Sequence, residues 1–204
     1  MILVYHNIST KAGNENTVSL YFFILHMLFL RLKGYNVVYL DEYKPDIKKQ
    51  IVITFDDGYK SVVKYAGKIL KILKFPFEVF VCEKLVNKPK YISENDFKSI
   101  INFGGRLEYH SKSHIDLTNL CDVSILDCEI ILPKQYKIYS SEHFKYFAYP
   151  YWKNNSFVVD IVKKYYSGAR SGNGYADYSK WSMDSMKVHN DYNIIKQIRE
   201  YEHK

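Results

Sequence analysis

The sequence predicts an α/β fold built on a parallel sheet. Short apolar runs alternate with segments of helical periodicity along most of the chain, and such alternation produces parallel strands joined by crossover helices. Residues able to carry chemistry directly follow several of these runs: Asp56 and Asp57 after 51–55, His110 after 106–109, Pro150 and Tyr151 after 145–148, and His189 after 186–188. Barrel enzymes gather their chemistry at the C-terminal ends of strands. Six helices with about eight strands suit an open sheet or a barrel.

The strands are expected at 2–5, 36–40, 51–55, 78–82, 106–109, 145–148, 165–169 and 186–188, and the helices at 19–33, 60–74, 93–102, 122–131, 156–164 and 191–202. Leu20 to Leu30 is strongly apolar and runs into Arg31-Leu32-Lys33-Gly34, a helix C-terminus signal. It is shorter than the ~20 residues that span a bilayer, so a buried helix is expected. In the second helix Lys60, Lys64, Lys68 and Lys71 lie opposite Val62, Val63, Ala66, Ile69, Leu70 and Leu73, which reads as a solvated face over an apolar one. Ser93 with Asp96 three residues on is close to a capping box. Loops are marked at 11–16 and at 171–178, which carries Gly172 and Gly174. No repeat, low-complexity linker or boundary divides the chain, and 1–204 reads as one domain.

Composition narrows the class. Apolar residues make up 47% and charged residues 25%, ordinary for a globular protein. Cys82, Cys121 and Cys128 are odd in number and lack a Cys-x-x-Cys spacing, which excludes a disulfide framework or a structural zinc finger. Cys82 reads as a small core residue. The net charge of +7 suits an anionic glycan or a membrane surface, but no basic block or recognition module points to nucleic acid. Twenty tyrosines suit carbohydrate contact or reflect compositional bias.

Two motifs carry the chemistry. Thr54-Phe55-Asp56-Asp57-Gly58 ends a strand with adjacent carboxylates, and His110-Ser111-Lys112-Ser113-His114 places two imidazoles four residues apart. One carboxylate and two imidazoles can hold a divalent ion with a position open for water. The other carboxylate is then free to act as a base. Residue 111 is Ser, so the His-Glu-x-x-His pattern of metalloproteases is not met. An isolated Asp-Asp-Gly is an ordinary turn or helix N-cap; its company with the histidine pair favours a site.

In this order and spacing the two motifs resemble the polysaccharide deacetylases of the NodB-homology type, carbohydrate esterase family 4. Leu3-Val4-Tyr5-His6, Leu30 to Tyr35, Phe147-Ala148-Tyr149-Pro150-Tyr151 and Ala169-Arg170-Ser171-Gly172 are similar to further segments of that family, above all its poly-N-acetylglucosamine deacetylase branch. The resemblance implies a distorted, incomplete (β/α)7 barrel of the NodB-homology type. It implies Asp56 as general base, and Asp57, His110 and His114 as ligands of one divalent transition metal, Zn2+ first, with Co2+, Ni2+ or Fe2+ as substitutes. It implies a backbone N–H of Tyr151 that stabilises an oxyanion; Tyr149-Pro150-Tyr151 reads as a wall of the substrate pocket, and Trp152 as a side chain that stacks on a sugar ring or narrows the cleft, or else as a core aromatic. His189 looks like the late Leu-x-His motif whose histidine protonates the leaving amine. Two departures stand out: Ala148 occupies the place where many members carry an arginine that orients the base, and Trp152 replaces the usual glycine. His6 ends the first strand and reads as a core histidine that could line the same cleft.

The expected activity is metal-dependent hydrolysis of an N-acetylated sugar or glycan, releasing acetate. An amidase acting on a small non-sugar amide, or an inactive carbohydrate-binding relative, are the alternatives. The N-terminal Met1-Ile2-Leu3-Val4 is already strand-like, so a cytoplasmic location is expected, or a periplasmic or extracellular one if an export segment precedes the chain. The partner expected is the glycan, with no nucleic acid and no transmembrane segment; oligomeric state is not legible.

Overall fold

The computed structural model describes residues 1–11, 14–172 and 179–188, together with Ile194, Lys196 and Ile198. Its elements run β1 (Ile2–Tyr5), β2 (Asn7–Ser9), β3 (Thr17–Ser19), α1 (Leu20–Leu32), β4 (Asn36–Val37), β5 (Gln50–Phe55), α2 (Gly67–Leu73), β6 (Phe77–Val81), α3 (Glu94–Asn102), β7 (Gly105–Tyr109), α4 (Val123–Ile130), β8 (Tyr146–Ala148), α5 (Ser156–Val162), β9 (Gly168–Arg170) and β10 (Met186–Lys187). The principal sheet is parallel throughout, in the order β10-β1-β5-β6-β7-β8-β9, with β4 added beside β5. It curls into the distorted, incomplete (β/α)7 barrel expected from the sequence. A single bridge from Arg170 to Met183 carries the pairing past β9.

Helix boundaries follow the local signals. Ser19 caps α1, its side chain accepting from Phe22 N, and Gly34 ends it in the left-handed conformation while Tyr35 N donates to Leu30 O. The capping box at Ser93 and Asp96 is formed. A π-helical turn, Val62–Ala66, precedes α2, and Lys74 closes that helix at φ 54°. The strand expected at 36–40 shortens to Asn36–Val37, because Leu40 instead donates its N–H to the Glu78 carboxylate. The strand expected at 165–169 moves to Gly168–Arg170, because Tyr165 and Tyr166 still bond back to Val162 at the end of α5. The helix expected at 19–33 forms but is not buried all round: Phe23, His26, Met27 and Leu30 face the core, while Tyr21, Ile24, Leu25, Leu28 and Leu32 are exposed. His189 and most of the helix expected at 191–202 lie outside the described residues. Among the described residues no helix is long and apolar enough to cross a membrane.

Alternation along the strands divides the core in two. Odd-numbered residues such as Leu3, Tyr5, Ile53, Phe55, Val79, Leu107, Tyr109 and Phe147 join the large cluster that includes the helices. Even-numbered Ile2, Val52, Phe80, Tyr146 and Ala148 form a second, smaller cluster inside the curl. The same parity applies to Glu78 and Glu108, both fully buried. Glu78 Oε1 accepts from Leu40 N at 2.8 Å, and Glu108 Oε2 accepts from Tyr146 N at 2.5 Å. Burial pushes the Glu78 carboxyl up to about 8. Burial, then the neighbouring Glu78 charge, holds Glu108 well above the usual carboxylate range.

A carboxylic acid whose pKa rises on folding contributes stability that is fully present below its unfolded value and lost as pH climbs through the folded one. For Glu78 that window runs from 4.5 to about 8. The urea midpoint should therefore fall across this range, and Glu78→Gln should flatten the decline; a pH series of unfolding curves for both proteins checks it.

Candidate active site

Parity carries the site as well. His6, Asp56, His110 and Arg170 share the even-numbered faces of β1, β5, β7 and β9, and the C-terminal ends of these four strands, with β6 and β8 interleaved, deliver them to one mouth of the barrel. His6, Asp56, Asp57, His110, His114, Tyr151, Trp152 and Lys187 line a cavity of about 290 Å³ there, with Glu15 and Asn16 at its edge.

Asp57 is brought inward by a left-handed backbone (φ 65°), and Gly58 follows at φ 70°, where a glycine is unstrained. The two histidines are joined by a turn rather than carried on one face of a regular element. Ser111 and His114 both have positive φ, and Ser111 Oγ accepts from His114 N at 3.0 Å. Glu129 of α4 anchors this turn, its side chain accepting from Ser113 N at 2.9 Å and its carbonyl from Lys112 N. Tyr151 and Trp152 are likewise left-handed. Each such residue costs roughly 1–2 kcal/mol. Five of the nine non-glycine examples among the described residues fall in these motifs, so the strain is concentrated at the site.

Asp57 Oδ1 lies 3.6 Å from His110 Nε2 and 3.3 Å from His114 Nε2. The three potential ligand atoms lie within 4.8 Å of one another, and Asp57 Oδ1 is buried without a hydrogen-bond partner. An orphaned buried carboxylate oxygen facing two imidazole nitrogens fits a divalent cation and the donor set that zinc accepts. His110 Nδ1 bonds to Ala148 O at 2.8 Å, which orients the ring so that Nε2 faces the site. Burial, reinforced by His114, lowers the His110 pKa to about 3, so its imidazole is neutral as a ligand must be.

Asp56 is almost fully buried, with Oδ2 4.0 Å from His110 Nε2, and Arg170 Nη2 donates to Oδ1. Arg170 is the functional residue that sequence reasoning missed. In the β8–β9 register it stands opposite Ala148, so the guanidinium absent from position 148 comes from the next strand over. The guanidinium also stacks on Phe80, 4.6 Å from the ring centroid, and burial lowers its pKa to about 9. A readable signal existed: a basic residue just after the apolar run at 165–169, the position that Asp56 and His110 hold after theirs. His6 lines the cavity rather than the core. Burial lowers its pKa to about 3 against the opposing pull of Asp57, and Lys187 and Arg170 depress it further.

The structure sorts the Tyr-Pro-Tyr-Trp segment. Tyr151 is half exposed in the cavity, its ring edge-on to His114 at 4.8 Å. Trp152 also lines the cavity. Tyr149 and Pro150 are buried and are not among the cavity-lining residues; the Tyr149 hydroxyl is spent on Trp181 O at 2.8 Å, so this ring supports the wall from within.

The sequence pattern of the family described as polysaccharide deacetylase matches residues 43–167. The chain belongs to the polysaccharide deacetylase family. A relative from Bacillus subtilis (strain 168), YxkH, carries the same family name and is 30% identical over 126 residues, 58% of this chain and 44% of its own. This family member thus spans less than half the length of that relative. Among solved structures, BC0361, a polysaccharide deacetylase from Bacillus cereus, superposes with a TM-score of 0.82 at 22% identity over 98% of this chain and 68% of its own. The Streptococcus pyogenes deacetylase PplD in complex with acetate superposes with a TM-score of 0.84 at 19% identity, covering 97% and 96%. At these identities the two structures establish the shared fold.

A Cβ added at Gly172 would stand 1.8 Å from the Trp152 ring and 2.7 Å from Ser185 O. Gly172→Ala should therefore shift Trp152 in the cavity wall and lower stability by about 1–3 kcal/mol; tryptophan emission and urea unfolding of the variant measure both.

Proposed function

We propose that the chain hydrolyses the acetamide of an N-acetylated sugar or glycan, releasing acetate and a free amine. The observation that carries this reading is the pairing of Asp57, His110 and His114 with a separate, arginine-held Asp56 in one cavity. Asp57, His110 and His114 would hold one divalent transition metal, with zinc best suited to the donors. When bound, the ion supplies Lewis-acid polarisation and lowers the pKa of water.

The chain's own residues divide the remaining work. Asp56 accepts the proton of the attacking water, and Arg170 fixes its carboxylate in place. The backbone N–H of Tyr151 supports the oxyanion that forms on the acetamide carbonyl. The C–N bond breaks once the nitrogen is protonated. Asp56, once protonated, returns that proton to the departing amine, and His6 adds a neutral imidazole to the cavity wall. Tyr151 and Trp152 offer aromatic surface to the sugar ring. The Arg170–Asp56 pair favours turnover over a binding-only role, since it restores the contact that Ala148 removes.

Acetate release from N-acetylglucosamine oligomers should require added zinc and stop with chelator, and metal analysis should find one ion per chain. No zinc bound after incubation with excess metal would overturn the site. Asp56→Asn should reduce kcat by about 10²–10⁴-fold while retaining the ion, whereas Asp57→Asn should lose it; kinetics and metal analysis of both variants separate base from ligand.

A further inference from the structure

Two adjoining segments of the chain carry bases and no acids of their own. The segment from Leu20 to Lys33 contains Arg31 and Lys33, and the segment from Lys60 to Lys74 contains Lys60, Lys64, Lys68, Lys71 and Lys74; neither contains Asp or Glu. These seven bases match the formal net charge of +7. Lys60 is paired with Asp96, while Lys64, Lys68, Lys71 and Lys74 are exposed. The two segments adjoin because β1 and β5, the strands that precede them, are neighbours, and α1 packs beside α2.

The same face exposes apolar side chains. Tyr21, Ile24, Leu25, Leu28 and Leu32 follow helical spacing along the outward side of α1, with Tyr21 66% and Leu32 83% exposed. Ile72 of α2, 80% exposed, stands beside Lys71. An apolar stripe flanked by bases, among them Lys60 paired with Asp96, complements an anionic, amphipathic surface. A second copy of the chain would set these unbalanced bases against their equals, and like-charge juxtaposition opposes such a contact. At 13 residues α1 is about 20 Å long, too short for the ~30 Å hydrocarbon core, so it would lie along a bilayer rather than cross it.

We infer that the α1–α2 face docks on an anionic phospholipid bilayer, with the α1 stripe in the interface and the α2 lysines on the headgroup phosphates. Asn16, at the edge of the cavity, lies three residues before the Ser19 cap of α1, so docking brings the cavity beside the membrane surface. The inference does not depend on the reaction proposed above.

Sedimentation of the full chain with vesicles tests it. The chain should bind mixed phosphatidylglycerol–phosphatidylcholine vesicles, should not bind phosphatidylcholine alone, and should be released by about 0.5 M NaCl. Leu25→Glu/Leu28→Glu and the exposed pair Lys64→Glu/Lys68→Glu should each lower partitioning at least about tenfold, with thermal unfolding of the lysine variant unchanged. Failure to bind anionic vesicles, equal binding to both vesicle types, or binding that neither variant weakens would overturn it. Self-association in analytical ultracentrifugation that Leu28→Glu abolishes would also overturn it, by assigning the face to a second copy.

Discussion

A strand buried on both faces sends every second side chain to the same side, and this alternation organises the molecule. On the outer side it supplies the apolar residues that the helices cover. On the inner side the curl leaves room for only a small apolar cluster. Polar residues of the same parity are thereby held in a dry interior, and those at the strand ends or one step beyond meet at the mouth. His6, Asp56, His110 and Arg170 come from strands separated widely in sequence, yet sheet order and parity bring them together. A slip of one residue in any of these strands would turn its member of the set toward the helices.

The interior position sets the electrostatics. A buried guanidinium is tolerated when a carboxylate meets it, and Arg170 Nη2 meets Asp56 Oδ1 in this way. Arg170 also lies on the Phe80 ring, so the inner apolar cluster and the ion pair support one another. The adjoining Asp57–His110–His114 group has the opposite character: a buried carboxylate oxygen with no protein donor, between two imidazole nitrogens. One aspartate is paired with a guanidinium, and its neighbour presents an oxygen without a hydrogen-bond partner to two imidazoles, an arrangement able to hold a cation. Left-handed backbone at Asp57 turns these adjacent side chains to different tasks.

Strain and support are distributed to match. Five of the nine positive-φ non-glycine residues described sit in the loops that end β5, β7 and β8, and each of these loops is tied down by a hydrogen bond from elsewhere in the fold. Glu129 of α4 holds the histidine turn, Ile92 N donates to Gly58 O behind the aspartates, and the Tyr149 hydroxyl secures the turn that presents Tyr151 and Trp152. Such anchoring preserves a strained geometry that the local sequence would not adopt alone.

By itself the sequence determined the α/β class, the order of the elements, and the residues most able to form a metal site. These are local properties: apolar runs set the strands, capping residues such as Ser19 and Ser93 set helix starts, and Asp56, Asp57, His110 and His114 stand at run ends. Tertiary structure alone decided what depends on contacts across strands. Only the β8–β9 register shows that Arg170 takes over where Ala148 lacks a cation. Only the packing shows that Tyr149 is a support while Tyr151 faces the cavity, although both are tyrosines flanking one proline. The strand at 36–40 shortened because a buried carboxylate on β6 captured the Leu40 N–H, an acceptor 38 residues away. The strongly apolar α1 reads as buried because periodicity cannot reveal how many of its sides the fold will cover; the sheet offers it a single face.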